Sequence, residues 1–177
     1  MRTYLSKRKW IFVVLLGVFT AGGWWTHRMD RALWIAGRRH RIDPQLLRAV
    51  AMQESRMNPK AVGAAGEIGM MQIMPNTAKH WALTTNQPIP SEKELFRLRT
   101  NTEISAWYLR QGLDEFAHMK DPWPYALAYY NAGPSRVRSW VTLVPDGIAF
   151  ADFIPFSTTR KYVKNILAMY RRETNGD

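Results

Sequence analysis

The sequence contains no cysteine in 177 residues. That excludes a disulfide framework, a thiolate metal site, a cysteine nucleophile and a lipid-modified cysteine. Four histidines, His27, His40, His80 and His118, show no metal-ligand spacing. No cofactor is expected. There is no G-K-[ST] phosphate loop, no internal repeat and no low-complexity tract. Long alternating runs of β-branched residues are missing too, so strands are not expected. Acids are few: 14, against 25 Lys plus Arg, for a net charge of +11. Four cations lie within residues 1–9 (Arg2, Lys7, Arg8, Lys9), which leaves +7 for the rest. A basic body suits a polyanion, whether nucleic acid, membrane surface or cell-wall polymer; charge alone does not choose. With 46% hydrophobic and 22% charged residues, the chain has the composition of a folded domain.

What is present begins with WIFVVLLGVFTAGGWW, an uncharged run over residues 10–25 with tryptophan at both ends. Sixteen residues are slightly short for a span, which takes about 17–25. Tryptophans favour membrane interfaces, and basic residues ahead of the run orient it with the N-terminus inside. We read residues 1–27 as a signal-anchor helix holding the remainder outside the cytoplasm, at the membrane surface. Cleavage as a signal peptide is the other reading, with the small residues Thr20-Ala21-Gly22-Gly23 at the processing site.

Residues 28–177 read as one mostly α domain. A first helix is expected over 31–41. Asp43-Pro44 supplies a cap and a proline at the first helical position, opening a helix to about residue 55. A glycine-punctuated stretch covers 61–74, with Pro75 breaking it. Asn76 is expected to cap a short helix through residue 81. Ser91 and Glu94 fit a capping box. Helices are expected over 101–119 and 122–130. The latter is apolar nearly all round and so buried. Residues 142–157 read as a loop before an amphipathic last helix over 159–171.

Glu54 is the informative residue. Leu47, Val50, Ala51 and Glu54 follow the i, i+3, i+4, i+7 spacing and share a helix face. A glutamate that continues an apolar stripe at a helix C-terminus is pushed toward its protonated form by desolvation and by the helix dipole. That is the property of a general acid. A glutamate at a frayed helix end with its head in water fits the same spacing, and spacing alone leaves both open. Met71 and Gln72 end the glycine stretch, where they could line a cleft or simply fill a tight loop. Tyr130 and Asn131 sit at a helix end, where they could bond and stack on a sugar; Asn131 equally fits a turn.

Together the blocks Glu54-Ser55-x-x-Asn58-Pro59, Gly66-x-x-Gly69-Met70-Met71-Gln72-Ile73-Met74-Pro75-x-Thr77-Ala78, Ala128-x-Tyr130-Asn131-Ala132-Gly133-Pro134-x-Arg136-Val137 and Tyr162-Val163-x-x-Ile166-Leu167 are specific. In this order they resemble the soluble-lytic-transglycosylase type of catalytic domain, over about residues 30–172. The resemblance implies a goose-type lysozyme-like helical fold. It also implies non-hydrolytic cleavage of the β-1,4 MurNAc–GlcNAc bond in peptidoglycan, giving 1,6-anhydroMurNAc ends. By this match Glu54 is the single acid and base, and Ser55 orients it. Met71 and Gln72 contact the sugar at the cleft wall, Tyr130 and Asn131 line a subsite, and Tyr162 faces the site from the last helix. Glu67, inside the glycine segment, is read as structural. Two departures stand out. Met70 replaces a frequent leucine, and Thr158-Thr159-Arg160 stands where glutamate-threonine-arginine is frequent. The resemblance makes the glycan strand the partner and disfavours nucleic acid. It leaves a secretion, conjugation, flagellar or wall-remodelling complex open. A lysozyme-like hydrolase and a catalytically silent wall-binding scaffold are the competing readings.

Overall fold

In the computed structural model, residues 27–175 are described; the expected anchor falls outside them except for its last residue. Among the described residues no helix is long and apolar enough to cross a membrane. The helices are α1 (27–40), α2 (Pro44–Ser55), α3 (Pro75–Thr85), α4 (Glu92–Leu95), α5 (Leu98–Glu115), α6 (Trp123–Ala132), α7 (Pro134–Val141), α8 (Phe150–Phe153) and α9 (Ser157–Asn175). No strand forms among the described residues. The loop between α2 and α3 holds only the bridges Val62–Ile68 and Ile68–Ile73.

Local signals explain most of the boundaries. The Asp43 side chain accepts from Gln45 N–H at 2.9 Å, and Pro44 opens α2. Arg56, in the left-handed region, closes it by donating to Ala51 and Met52 carbonyls. Ser91 and Glu94 form the expected capping box on α4. Gly133, at φ +86°, separates α6 from α7, which starts on Pro134. Other boundaries differ from expectation. Pro75 starts α3 rather than standing before it, because proline tolerates the first helical position. Asn76 is therefore inside the helix, and no side chain caps it. The long loop after α7 contains α8, a single turn whose Phe150 is buried and stacks on Tyr125 at 4.0 Å between ring centroids. Four residues carry too little periodicity to read as a helix.

The α6 helix is the hub of the domain, packing on α5, α7, α8 and α9. Its Ala126, Leu127 and Ala128 are fully buried. Gly112 lets α5 come close: a Cβ there would stand 3.1 Å from Ala126 Cα and Tyr129 Cβ. The α2 and α9 helices run antiparallel and are tied at both ends. Tyr170 donates to Asp43 at the start of α2, at 2.8 Å. Tyr162 donates to Glu54 at its end, at 2.6 Å. Between these ties Leu46, Leu47 and Val50 meet the core shared by Val163, Ile166 and Leu167. Each such side chain contributes roughly 1.5–3 kcal/mol by leaving water.

Candidate active site

The α2–α9 pairing sets the position of Glu54. Leu47, Val50 and Ala51 are fully buried, and Glu54 follows them on the same face at the last turn, partly exposed. Desolvation is the largest influence on its carboxyl, followed by the opposing hydrogen bond from Tyr162 and then the charge of Glu67. The balance raises the Glu54 pKa to about 7. No basic residue lies in the last turn of α2 to offset this. Near neutral pH both the protonated and the ionised form of Glu54 are therefore within reach, so the group can both give and take a proton.

Two tyrosines flank the carboxyl. Tyr162, on α9, is 6% exposed, and burial together with the charge of Glu54 pushes its phenol well above the ordinary value. Tyr130, on α6, is shifted in the same direction by the same two causes. Both hydroxyls therefore act as donors. Tyr162 donates to Glu54, whereas Tyr130 donates to the Met71 carbonyl at 2.8 Å. Tyr108 packs its ring against Tyr129 and Tyr130, with centroids 5.1 and 5.8 Å away, and braces this aromatic wall.

The glycine loop completes the constellation. Ser55 Oγ donates to the Met70 carbonyl at 2.7 Å and accepts from Asn58 N–H at 2.9 Å. It thus clamps the end of α2 to the loop and bonds neither oxygen of Glu54, unlike the orienting contact expected for it. Met71 also departs from expectation. Its side chain is fully buried in the core, so the residue serves the site through its backbone rather than as a cleft wall. Gln72 adopts φ +51° and donates from its amide to the Gly69 carbonyl at 2.9 Å, remaining partly exposed. Asn131 is exposed, and its Oδ1 accepts from the buried Thr159 hydroxyl at 2.8 Å. Thr159 and Arg160, in the first turn of α9 where the family-like segment departs, are both engaged, Arg160 donating to the Ile154 carbonyl at 3.1 Å.

The structure brings Glu54, Tyr162, Tyr130 and the Met70–Gln72 backbone together. Sequence reading missed the residue that holds the loop in place, Asn101 on α5. Its Oδ1 accepts from Met71 N–H at 2.8 Å, and its Nδ2 donates to Ile68 and Leu95 carbonyls at 2.8 and 2.9 Å. It is 1% exposed. The signal was available: Asn101, Ile104 and Tyr108 share a face, so Asn101 is a polar residue on an apolar stripe, just as Glu54 is. Among the described residues no cluster of histidine or acids could hold a metal ion.

Comparison with known proteins identifies the family to which this fold belongs. The transglycosylase SLT domain family matches residues 33–150. The soluble lytic murein transglycosylase of Escherichia coli K12 is 42% identical over 135 residues, covering 73% of this chain and 20% of that protein. The membrane-bound lytic murein transglycosylase E of Buchnera aphidicola is 29% identical over 108 residues, 58% of this chain and 49% of that protein. Among solved structures, the 70 kDa soluble lytic transglycosylase in complex with bulgecin A superposes at TM-score 0.73 and 36% identity, over 84% of this chain and 24% of that one. An inactive glutamate-to-glutamine variant of lytic transglycosylase Slt from Pseudomonas aeruginosa superposes at 0.70 and 29% identity, over 82% and 24%. The fold is thus the lysozyme-like helical one, and the chain belongs to the transglycosylase SLT domain family. It spans about a fifth of the length of the E. coli relative it matches.

Proposed function

We propose that this chain is a peptidoglycan lytic transglycosylase. It would cleave the β-1,4 bond between N-acetylmuramic acid and N-acetylglucosamine, with Glu54 as both acid and base. The observation that carries this reading is a single half-buried glutamate, with a pKa raised to about 7, at the centre of a domain of this family. Protonated Glu54 donates to the glycosidic oxygen as the bond from C1 breaks, and N-acetylglucosamine leaves as an alcohol. The muramoyl 6-hydroxyl oxygen then bonds to C1 while the Glu54 carboxylate takes its proton. The acid is regenerated and no water is consumed. Because the nucleophile belongs to the substrate, no second residue has to activate water, as hydrolytic glycosidases require.

Support for Glu54 comes also from the Pseudomonas relative, described as inactive with one glutamate changed to glutamine. Tyr162 holds the carboxyl, Tyr130 and Ser55 hold the loop beside it, and Gln72 and Asn131 are the partly or fully exposed polar groups available to a sugar. The basic composition suits an anionic wall polymer rather than selecting nucleic acid. Residues 1–27 would act as the anchor, placing the domain on the periplasmic face of the inner membrane.

Mass spectrometry of peptidoglycan digested with the full chain tests the reading directly. Fragments one water lighter than hydrolytic products are expected, and Glu54→Gln should abolish them. Full-mass reducing fragments would establish a hydrolase instead. Activity of Glu54→Gln above about a hundredth of wild type would remove Glu54 from its role.

A further inference from the structure

The α1 helix turns Met29, Leu33 and Ala36 to the core and leaves Trp34 and Ile35 outside, 56% and 40% exposed. A cavity of about 810 Å³ opens along Ile35, where Phe96 and Leu98 meet α1. None of the residues assigned to the Glu54 site lines it. Six cations surround it: Arg28, Arg31, Arg39, Lys60, Arg97 and Arg99. One acid faces them, Glu103, and it is already bonded to Arg39 and His40 at 2.9 Å each. Arg97 pairs with Glu94 at 3.4 Å. Arg31, Lys60 and Arg99 are exposed and enter no ion pair among the described residues. Like charges gathered around one cavity repel one another, a cost that an anion bound there would offset.

The apolar part of this surface narrows the choice of anion. Trp34 stands beside the cavity stripe, with the Arg38 guanidinium 6.0 Å from the centre of its ring. Tryptophan settles at the headgroup level of a bilayer, and arginine beside it meets lipid phosphate. A wall polymer supplies anions but no apolar layer to receive Trp34 and Ile35; an anionic bilayer supplies both. Position agrees. The α1 helix begins at residue 27, directly after the uncharged run over residues 10–25. Ile35 lies about 12 Å along the helix from that start. We propose that this face of α1, with the cavity beside it, docks on anionic phospholipid. The cations take headgroup phosphates, and Trp34 and Ile35 enter the headgroup layer. Docking fixes the orientation of the domain, which a tether alone leaves variable. The inference extends the reading of residues 1–27 as an anchor without depending on it, because every contact lies in the folded domain.

The lack of cysteine permits a single label on the full chain. Ile35→Cys carries a fluorophore and is mixed with vesicles of phosphatidylcholine alone or with added phosphatidylglycerol, each containing a quencher-bearing lipid. Leu143→Cys, 60% exposed and outside the cavity, is the reference. Quenching at Ile35→Cys should be at least about two-fold greater in the anionic vesicles. It should be reversed by about 1 M salt, where the Debye length falls to about 3 Å, with no such change at Leu143→Cys. Adding Arg31→Gln, Lys60→Gln and Arg99→Gln to Ile35→Cys should return quenching to the phosphatidylcholine value. Equal quenching of Ile35→Cys in the two lipids, or quenching that ignores salt, would overturn the proposal, and neither result needs the multiple variant to fold. A several-fold loss of peptidoglycan cleavage by that variant in detergent would also overturn it, since the cations would then serve the glycan. Flotation with phosphatidylcholine vesicles tests the anchor separately. A chain that fails to float there, yet is quenched in anionic vesicles, lacks the anchor and keeps the docking face. An inactive wild type refutes the reading of Glu54 and leaves the fluorescence result standing.

Discussion

The Tyr162 hydroxyl donates to Glu54 Oε1 at 2.6 Å across 108 residues of sequence, joining the first turn and a half of α9 to the last turn of α2. This one bond works against the two influences that hold the proton on Glu54, its burial and the charge of Glu67. It favours the carboxylate, the form that the proposed mechanism needs in the second half of the reaction. Tyr162→Phe removes the bond and leaves the ring in the core. The Glu54 pKa should then rise above its present value of about 7, and the alkaline limb of the rate profile should move to higher pH. Turnover near neutral pH should fall, because base strength and the carboxyl's orientation are both changed. A pH–rate profile of the variant checks this, and a midpoint that stays or falls would contradict it.

The raised pKa also has a consequence for stability. Burial raises the Glu54 pKa to about 7 in the folded chain, from 4.5 for a glutamate in water. Between these values the folded state binds more protons, so the contribution of Glu54 is fully present below about pH 4.5 and is lost as pH rises through about 7. Glu54→Gln is free of this titration. The variant should therefore gain stability relative to wild type as pH rises, by on the order of 3 kcal/mol between pH 4 and pH 9. Denaturant unfolding at both pH values measures the difference. A constant offset between the two proteins would mean that Glu54 is not held out of water.

How much of this was legible beforehand differs by residue. Glu54 and its helix could be read because the apolar stripe, the Asp43-Pro44 start and the Asn58-Pro59 stop are all local. Tyr162 could be named only through resemblance, since nothing near it in sequence marks a tyrosine that reaches another helix. Ser55 was expected to orient the acid and Met71 to line the cleft, but both turn inward: the hydroxyl finds the Met70 carbonyl and the methionine fills the core. Sequence spacing places a side chain on a face and does not say which backbone group it will satisfy.

Gly69 should tolerate no side chain. Its φ is +79°, and an added Cβ would lie 2.6 Å from Asn101 Nδ2 and 3.1 Å from the Leu95 carbonyl. Left-handed backbone alone costs an alanine about 1–2 kcal/mol. The contact with Asn101 adds to that, because Asn101 is bonded on every side and cannot move aside. Gly69→Ala should melt several degrees below wild type. It should also lose activity at temperatures where it remains folded, since the displaced loop carries Met71 and Gln72.

Asn101→Ala tests whether one buried amide holds the loop against α5. The substitution orphans the Met71 N–H and the Leu95 carbonyl in the buried interior, and takes one of two donors from the Ile68 carbonyl, which still accepts from Ile73 N–H. Each unsatisfied group costs about 1–3 kcal/mol, partly recovered by relaxation, so a total loss of roughly 3–5 kcal/mol is expected. For a domain of this size that lowers the melting temperature by roughly 10 °C. The two loop variants should also couple. With Asn101 truncated, the methyl of Gly69→Ala no longer meets an amide, and only the backbone term and the Leu95 contact remain. The double variant should thus lose less stability than the two single losses added together. Strict additivity in thermal or denaturant unfolding would show that Gly69 is required for its backbone alone and that Asn101 does not press against it.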